Sequence, residues 1–281
     1  MKLPSRFQLQ TQPYITTDGF DHLIFWFDRS ELPFDIDLLR PHCRDLKVNA
    51  RQLEFHANCK LSLSLFQPTR KCLILLRDGI GREIGANVTY AEIARDVLVR
   101  DAVTAARLRD DFLGRVRIPY QRHPFLPYQD TGTWYCGPPT KKGSVTTLYC
   151  DRPSKINNVR PTDGDAPDFH LEWRAIGRDA LAQAGIASLD DLILFEPDKF
   201  WAERIRLYEM PNKTELGRQL AKCMGGKTAA SNPAYLKRGN KWIDDHTQDG
   251  SFVLHNALQS TPKLHSILPI ISWNQWLKDH A

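Results

Sequence analysis

Residues 132–152 read GTWYCGPPTKKGSVTTLYCDR, and they organise the middle of the chain. Two short β-like runs, at 133–137 and 145–151, flank a turn rich in Gly, Pro and Lys. Apolar and β-branched runs separated by such a turn predict a β-hairpin. Tyr135 and Tyr149 lie on its two strands. The hairpin is therefore either an ordinary surface feature or the carrier of a reactive phenol.

The composition is that of a globular protein of ordinary solubility. The chain has 281 residues, 42% of them hydrophobic and 25% charged, with a formal charge of +5. This size suggests one large domain, or one domain with a small appendage, and the mild positive charge is compatible with nucleic acid. The six cysteines lack the spacing of zinc ligands. Without a signal peptide or a long apolar run, we expect a cytoplasmic protein with reduced thiols and no membrane span.

Alternating apolar and polar residues predict several further strands. DHLIFWFDR at 21–29 is strongly apolar, and in KLSLSLF at 60–66 every second residue is Leu. Residues 1–19 are interpreted as an irregular lead-in. The remaining strand predictions are 51–57 and 71–77, which complete a meander with 60–66, and then 88–99 and 168–176.

Helices are predicted between and after these strands. Asp101 is a plausible N-cap for a helix over 102–115, whose apolar stripe would be Val103, Ala106, Phe112 and Leu113. Residues 117–131, with three prolines, are interpreted as a surface loop. The other helix predictions are 32–42, 178–185 and 197–210.

The order of elements predicts an α+β fold. We expect a mainly antiparallel β-sheet with helices packed on one side, plus a small helical C-terminal subdomain. The segment 209–281 holds nine Lys or Arg against six Asp or Glu. The domain prediction is therefore a main domain over 1–210, which would hold any active site, and a basic helical region over 211–281.

Ionisable residues recur on alternate positions of three predicted strands. Period two places the members of each strand on one face: Tyr90, Glu92 and Asp96; His170, Glu172 and Arg174; Thr147, Tyr149 and Asp151. Carboxylates with a histidine suit a hard divalent cation such as Mg²⁺ or Mn²⁺. An antiparallel sheet with one solvated face would show the same pattern without any function, and a surface Glu172–Arg174 ion pair would be worth little.

A tyrosine beside such a cation could attack phosphorus. The metal would polarise the phosphate, and the tyrosine would form the covalent intermediate. Because an ordinary phenol has a pKa of about 10, it needs a nearby positive charge. The metal, Lys141, Lys142 or Arg174 could supply that charge.

Three segments together carry a family resemblance. VTYAEIARDV at 88–97 is similar to the strand motif T-R-(I/L)-D-(L/I)-A-(I/V)-D, with Tyr90 in place of Arg. The hairpin is similar to T-x-Y-x-G-x-x-x-S followed by Y-D-K, with Y-C-D-R at 149–152. FHLEWRAI at 169–176 is similar to (V/I)-R-(F/L)-E-(L/I)-(R/E), with His170 in place of Arg. These motifs belong to rolling-circle replication initiators of one plasmid group and related filamentous-phage replication proteins.

The resemblance implies a function and assigns roles. Tyr149 would nick one DNA strand and stay joined to its 5′ phosphate, in a metal-dependent nicking and strand-transfer reaction at a plasmid or phage origin. The implied metal ligands are Glu92, Asp96 and Glu172, with His170 beside them, and the implied metal is Mg²⁺ or Mn²⁺.

The resemblance also names partners. The predicted DNA contacts are Lys141, Lys142, Arg174, Lys237, Arg238 and Lys241, on single-stranded and duplex or hairpin origin DNA. Host helicase, host polymerase and a second copy of the chain are further candidate partners. Two alternatives stay open: a non-catalytic DNA-binding protein of a mobile element, such as a repressor, and a carboxylate-based nuclease or phosphatase that uses no tyrosine.

Overall fold

A large antiparallel sheet forms the centre of the computed structural model, which describes residues 14–50, 59–81, 84, 86–119, 121–128, 132–137, 143–152, 168–260, 264, 266 and 268–279. The strands in these ranges are β1 (Ile15–Phe27), β2 (Asp45–Ala50), β3 (Leu61–Phe66), β4 (Asn87–Leu98), β5 (Val116–Arg117), β6 (Phe125–Tyr128), β7 (Thr133–Cys136), β8 (Gly143–Tyr149), β9 (Phe169–Ile176), β10 (Arg206–Tyr208), β11 (Thr247–Gln248), β12 (Ser251–Phe252) and β13 (Ile270–Ile271). The main sheet has the order β2-β3-β1-β4-β9-β8-β7-β6, with every neighbouring pair antiparallel.

Helices cover one face of this sheet. The α-helices of the described ranges are α1 (Arg70–Ile80), α2 (Ala102–Arg115), α3 (Arg178–Gln183), α4 (Leu189–Ile193), α5 (Pro197–Arg204), α6 (Lys213–Gly225), α7 (Pro233–Asp245), α8 (Leu254–Ser260) and α9 (Trp273–Lys278). Apolar residues of α1 to α5 and α9 join one core cluster with inward-facing strand residues such as Phe25, Leu63 and Leu171. The predicted α+β class, with helices on one side of a mainly antiparallel sheet, is confirmed.

Several local predictions are also confirmed. The hairpin predicted within 132–152 forms β7 and β8. Leu61, Leu63 and Leu65 of β3 are all buried in the core. Asp101 caps α2 by accepting a hydrogen bond from the backbone N–H of Thr104 at 2.7 Å.

Other local predictions are wrong, each for a physical reason. The run 71–77, predicted as a strand, lies in α1, because Thr69 caps a helix there and the residues at 72, 73, 76 and 80 bury one face. The stripe of α2 contains Ala105 and Leu108 instead of Val103, which is 61% exposed, and Ala106. The run 51–57 lies outside the described residues.

Element boundaries differ in four more places. β1 begins at Ile15, inside the expected lead-in, and the predicted helix over 32–42 is a 3₁₀ segment, Ile36–His42. The predicted loop over 117–131 contains edge strand β6. The predicted helix over 197–210 ends at Arg204, because the chain then pairs as β10 with β5 and β13.

The C-terminal region builds a second, smaller apolar cluster. Helices α6 and α7 cross where Gly217 meets Gly239, so that a Cβ atom added at Gly239 would lie 2.7 Å from the carbonyl oxygen of Gly217. Trp276 and Leu277 of α9 pack into the main core instead. The division at residue 210 stays a prediction. Among the described residues, no helix is both long and apolar enough to cross a membrane.

Candidate active site

The register of three central strands places the predicted nucleophile and the four predicted metal ligands on the sheet face opposite the helices. Asp96 of β4 pairs with His170 of β9, and His170 pairs with Tyr149 of β8. Residues that face each other across antiparallel strands project their side chains to the same side. The next row contains Ala94, Glu172 and Thr147, and the row beyond it contains Glu92, Arg174 and Val145.

Asp21 joins this face although the sequence did not single it out. In the pairing of β1 with β4, Phe20 and His22 face consecutive residues, which leaves Asp21 as the extra residue of a β-bulge. Its Oδ1 accepts a hydrogen bond from Gln67 Nε2 at 3.0 Å. Its Oδ2 lies 3.9 Å from His170 Nε2. The bulge therefore aims a carboxylate at the centre of the site.

His170 connects the carboxylates of the site. Its Nδ1 hydrogen-bonds to Asp96 Oδ1, and its Nε2 lies 3.3 Å from Glu172 Oε2. All three side chains are buried: His170 is 3% exposed, Glu172 2% and Asp96 0%. Asp96 thus fixes the orientation of the imidazole, while Nε2 faces Glu172 and Asp21.

The electrostatics of this group favour the charged forms of His170 and Glu172. Burial works to lower the pKa of His170, but Asp96 and Glu172 outweigh it and raise that pKa to about 10. Burial likewise opposes ionisation of Glu172, yet His170 and Arg174 outweigh it and lower the pKa. Burial raises the pKa of Asp21. The positive charges of His170 and Arg174 offset the negative charge of the carboxylates on this face only in part.

A second pair of contacts lies one row away. Arg174 Nε donates to Glu172 Oε1 and lies 3.4 Å from Glu92 Oε1. Tyr90 donates its hydroxyl to the same Glu92 oxygen. Burial, with the charge of Glu172 second, raises the pKa of Glu92 to about 7. Arg174, predicted as a DNA contact, is therefore engaged by two carboxylates.

Tyr149 lies at the end of β8 beside the histidine. Its ring stacks on the imidazole of His170 with centroids 4.1 Å apart, and Arg152 Cζ lies 4.4 Å from the ring centroid. The side chain is 9% exposed. Burial, followed by the charge of Glu172, raises the pKa of Tyr149 above its ordinary value. The raised pKa keeps the phenol in its neutral form.

Among the described residues, one group of acidic and histidine side chains lies close enough together to hold a metal ion. Asp21, His170 and Glu172 each offer a ligand atom, and these atoms lie within 4.8 Å of one another. Two carboxylates and an imidazole fit Mg²⁺ or Mn²⁺ in the chemistry of their donor atoms. Of the four predicted ligands, His170 and Glu172 belong to this group. Asp96 contacts the far side of the imidazole, and Glu92 is bound by Tyr90.

Three of the other predicted DNA contacts lie on a C-terminal helix. Lys237, Arg238 and Lys241 are exposed on α7. Lys141 and Lys142 lie outside the described residues. Asp151, which follows the end of β8, is exposed and lies 3.4 Å from Arg152 Nε.

Comparisons with known proteins give a likeness of structure but none of sequence. No family model matches the chain, and no curated protein matches its sequence. The structure is similar to that of a rolling circle replication initiator protein from Geobacillus stearothermophilus, with a TM-score of 0.41 and 10% sequence identity. The match covers 70% of this chain and 89% of that chain.

Proposed function

We propose that this protein is a metal-dependent DNA-nicking enzyme that uses Tyr149 as its nucleophile to initiate rolling-circle replication of a plasmid or phage. The observation that carries the proposal is the stacking of Tyr149 on His170, whose Nε2 belongs to the group formed with Asp21 and Glu172. The three sequence motifs that resemble replication initiators supply the three strands that meet at this point.

The burial of the group argues for chemistry rather than a solvated face. Asp96, His170 and Glu172 are nearly inaccessible, and removing charges from water costs several kcal/mol per ion. Such a cluster contributes little to stability compared with an apolar core of the same volume. Perturbed ionisable groups concentrated at one point are typical of functional sites.

The residues have distinct roles in the proposed reaction. Asp21, Glu172 and the Nε2 atom of His170, once it has lost its proton, would hold a divalent cation, and Asp96 orients His170 for this task. When bound, the cation supplies charge neutralisation at the scissile phosphate. After burial, the charges of Glu172 and Asp21 raise the pKa of Tyr149 most, and a bound cation would offset that second contribution.

The bond changes follow from the nucleophile. Tyr149 loses its phenolic proton to a base, and its oxygen forms a bond to phosphorus while the bond from phosphorus to the 3′ oxygen breaks. The 3′ oxygen takes up a proton and becomes a free hydroxyl. The 5′ phosphate stays on the protein, ready for transfer to another 3′ hydroxyl.

The test is formation of a protein–DNA complex that resists detergent. A pool of labelled single strands of random sequence removes the need to know the origin. We expect labelled protein with Mn²⁺, none with EDTA, and none for Tyr149→Phe. The matched control is Tyr135→Phe, which changes the other hairpin tyrosine and is expected to keep the reaction.

Two results would contradict the proposal. Strand cleavage without any bound protein would indicate a nuclease that uses the carboxylates and no tyrosine. DNA binding with no cleavage at all would indicate a non-catalytic DNA-binding protein.

A further inference from the structure

The outer end of the main sheet exposes an aromatic surface. On the edge strand β6, Leu126 is 51% exposed and Tyr128 is 50% exposed. On β7, Tyr135 is half-buried, and its ring meets that of Tyr128 edge-on with centroids 5.6 Å apart. We call Leu126, Tyr128 and Tyr135 the tyrosine surface.

The tyrosine surface lies on the same sheet face as the candidate active site. Leu126 pairs with Tyr135, Tyr135 pairs with Thr147, and Thr147 pairs with Glu172. Neighbouring strands lie about 4.8 Å apart, so the Tyr135 and Glu172 backbones are about 10 Å apart. The alternate residues of these strands, among them Phe125 and Trp134, are buried in the core on the opposite face.

We infer that the tyrosine surface stacks unpaired bases of the DNA strand next to the phosphate that Tyr149 attacks. This inference rests on the proposed function, because it assumes that the strand is nucleic acid. A ring offers a sequence-tolerant platform for any base that is not paired. Bases in a duplex are stacked on each other and cannot use it, so the occupant is a single strand.

Charge and backbone features agree with this occupant. The Arg152 side chain is 48% exposed and lies over the Tyr149 ring, 3.4 Å from the exposed Asp151, and it places a cation on the same face for the phosphates. Pro127 lies in the middle of β6 and removes a backbone N–H from this edge. Addition of a strand from a second copy of the chain is therefore disfavoured here.

The experiment measures binding without chemistry. Fluorescence anisotropy with a labelled oligo(dT) of about 16 nucleotides is recorded in EDTA for the full chain, with the duplex of the same length as a second probe. Tyr128→Ala and Tyr135→Ala are each expected to weaken single-strand binding by about tenfold and to leave duplex binding unchanged. Tyr128→Phe and Tyr135→Phe retain the ring and should bind like the wild type. Leu194→Ala removes a residue that is 67% exposed on another part of the chain and should have no effect.

Three outcomes would overturn the inference: no single-strand binding by the wild-type chain, unchanged binding by both alanine variants, or equal losses on both probes. A change of oligomeric state without a change in single-strand binding would assign the surface to a protein partner, which also overturns it. The assay is separate from the detergent-resistant complex. If the wild-type chain forms no such complex, the proposed function is wrong. If the complex forms normally and both alanine variants bind single strands like the wild type, only this inference is wrong.

Discussion

The imidazole of His170 stacks on the phenol of Tyr149, with ring centroids 4.1 Å apart and an angle of 23° between the planes. The same imidazole contacts Asp96 through Nδ1 and faces Glu172 through Nε2 at 3.3 Å. One residue therefore connects the candidate nucleophile to the candidate metal ligands. A change that reorients His170 should affect both.

The metal group predicts a specific order of effects on Mn²⁺ binding. Asp21→Asn and Glu172→Gln each remove a charged ligand and should weaken Mn²⁺ binding more than the loss of an orienting partner does. Asp96→Asn removes only an orienting partner and should weaken it by about 10–100-fold. The measurement is free Mn²⁺ by electron paramagnetic resonance during titration of the protein.

Glu92→Gln is the informative comparison for that titration. Glu92 lies outside the group within 4.8 Å, so this variant should bind Mn²⁺ within a few-fold of the wild type. The exposed Asp190→Asn is the neutral control. If Glu92→Gln loses Mn²⁺ binding while Asp21→Asn keeps it, the ligand set implied by the motif resemblance is right and the one assigned from the structure is wrong.

The exposed cations of α7 should contribute to duplex binding through phosphates. We expect weaker duplex binding from the triple variant Lys237→Ala, Arg238→Ala, Lys241→Ala. The slope of log K against log salt concentration should become less negative by about 2 to 3, at about 0.9 for each lost phosphate contact. The charge-matched control replaces Arg70, Lys71 and Lys199, which are exposed on α1 and α5. Equal salt slopes for both triple variants would show that α7 has no special role.

The crossing of α6 and α7 should depend on Gly239. An added Cβ atom would lie 2.7 Å from the carbonyl oxygen of Gly217, so the helices must move apart. We expect Gly239→Ala to reduce the free energy of unfolding by about 1–3 kcal/mol, although Ala is the better helix former by about 1 kcal/mol. Urea denaturation measures the free energy of unfolding, and hydrogen exchange of the α7 backbone amides shows whether the loss is at this helix.

Gly114→Ala in α2 is the matched control for that substitution. A Cβ atom there would meet its nearest neighbour, the carbonyl oxygen of Phe252, at an ordinary distance of 3.5 Å. The free energy of unfolding of Gly114→Ala should stay the same or rise by up to about 1 kcal/mol. A stable Gly239→Ala variant would mean that the helices do not cross at these glycines.

His255 should make stability dependent on pH. It is buried, its Nδ1 accepts a hydrogen bond from the backbone N–H of Ile118, and its Nε2 lies 2.9 Å from the carbonyl oxygen of His123. Burial lowers its pKa in the folded chain from 6.5. The unfolded chain therefore binds the proton first as the pH falls.

The contribution of His255 to stability is complete above about pH 6.5 and decreases as the pH falls toward the lower folded pKa. Urea denaturation between about pH 5 and pH 7 should show that the free energy of unfolding falls more steeply with decreasing pH for the wild type than for His255→Asn. Identical slopes would mean that His255 is protonated equally in both states.

The sequence predicted most of the sheet because alternation is a local property. The hairpin, β4 and β9 were all identified from their own residues, and with them the face that holds His170 and Glu172. The prediction of a strand over 71–77 is wrong because a continuous apolar run fits either a buried strand or a helix. The cap at Thr69 is the local feature that favours the helix.

Asp21 shows what local patterns miss. In a regular strand, Asp21 would lie on the same side as Leu23 and Phe25, which point into the core, so period two excludes it from the site. A β-bulge reverses that assignment, and it depends on the pairing of β1 with β4. Gly19, two residues earlier, was the available signal, since glycine within a strand often marks a bulge.

The most direct measurement of the central claim is the identity of the residue that carries DNA. The wild-type chain is incubated with Mn²⁺ and single-stranded DNA, the DNA is trimmed by nuclease, and the modified peptide is sequenced by mass spectrometry. We expect a nucleotide joined through its 5′ phosphate to the phenolic oxygen of Tyr149. A nucleotide on Tyr135 or on any other residue would contradict it.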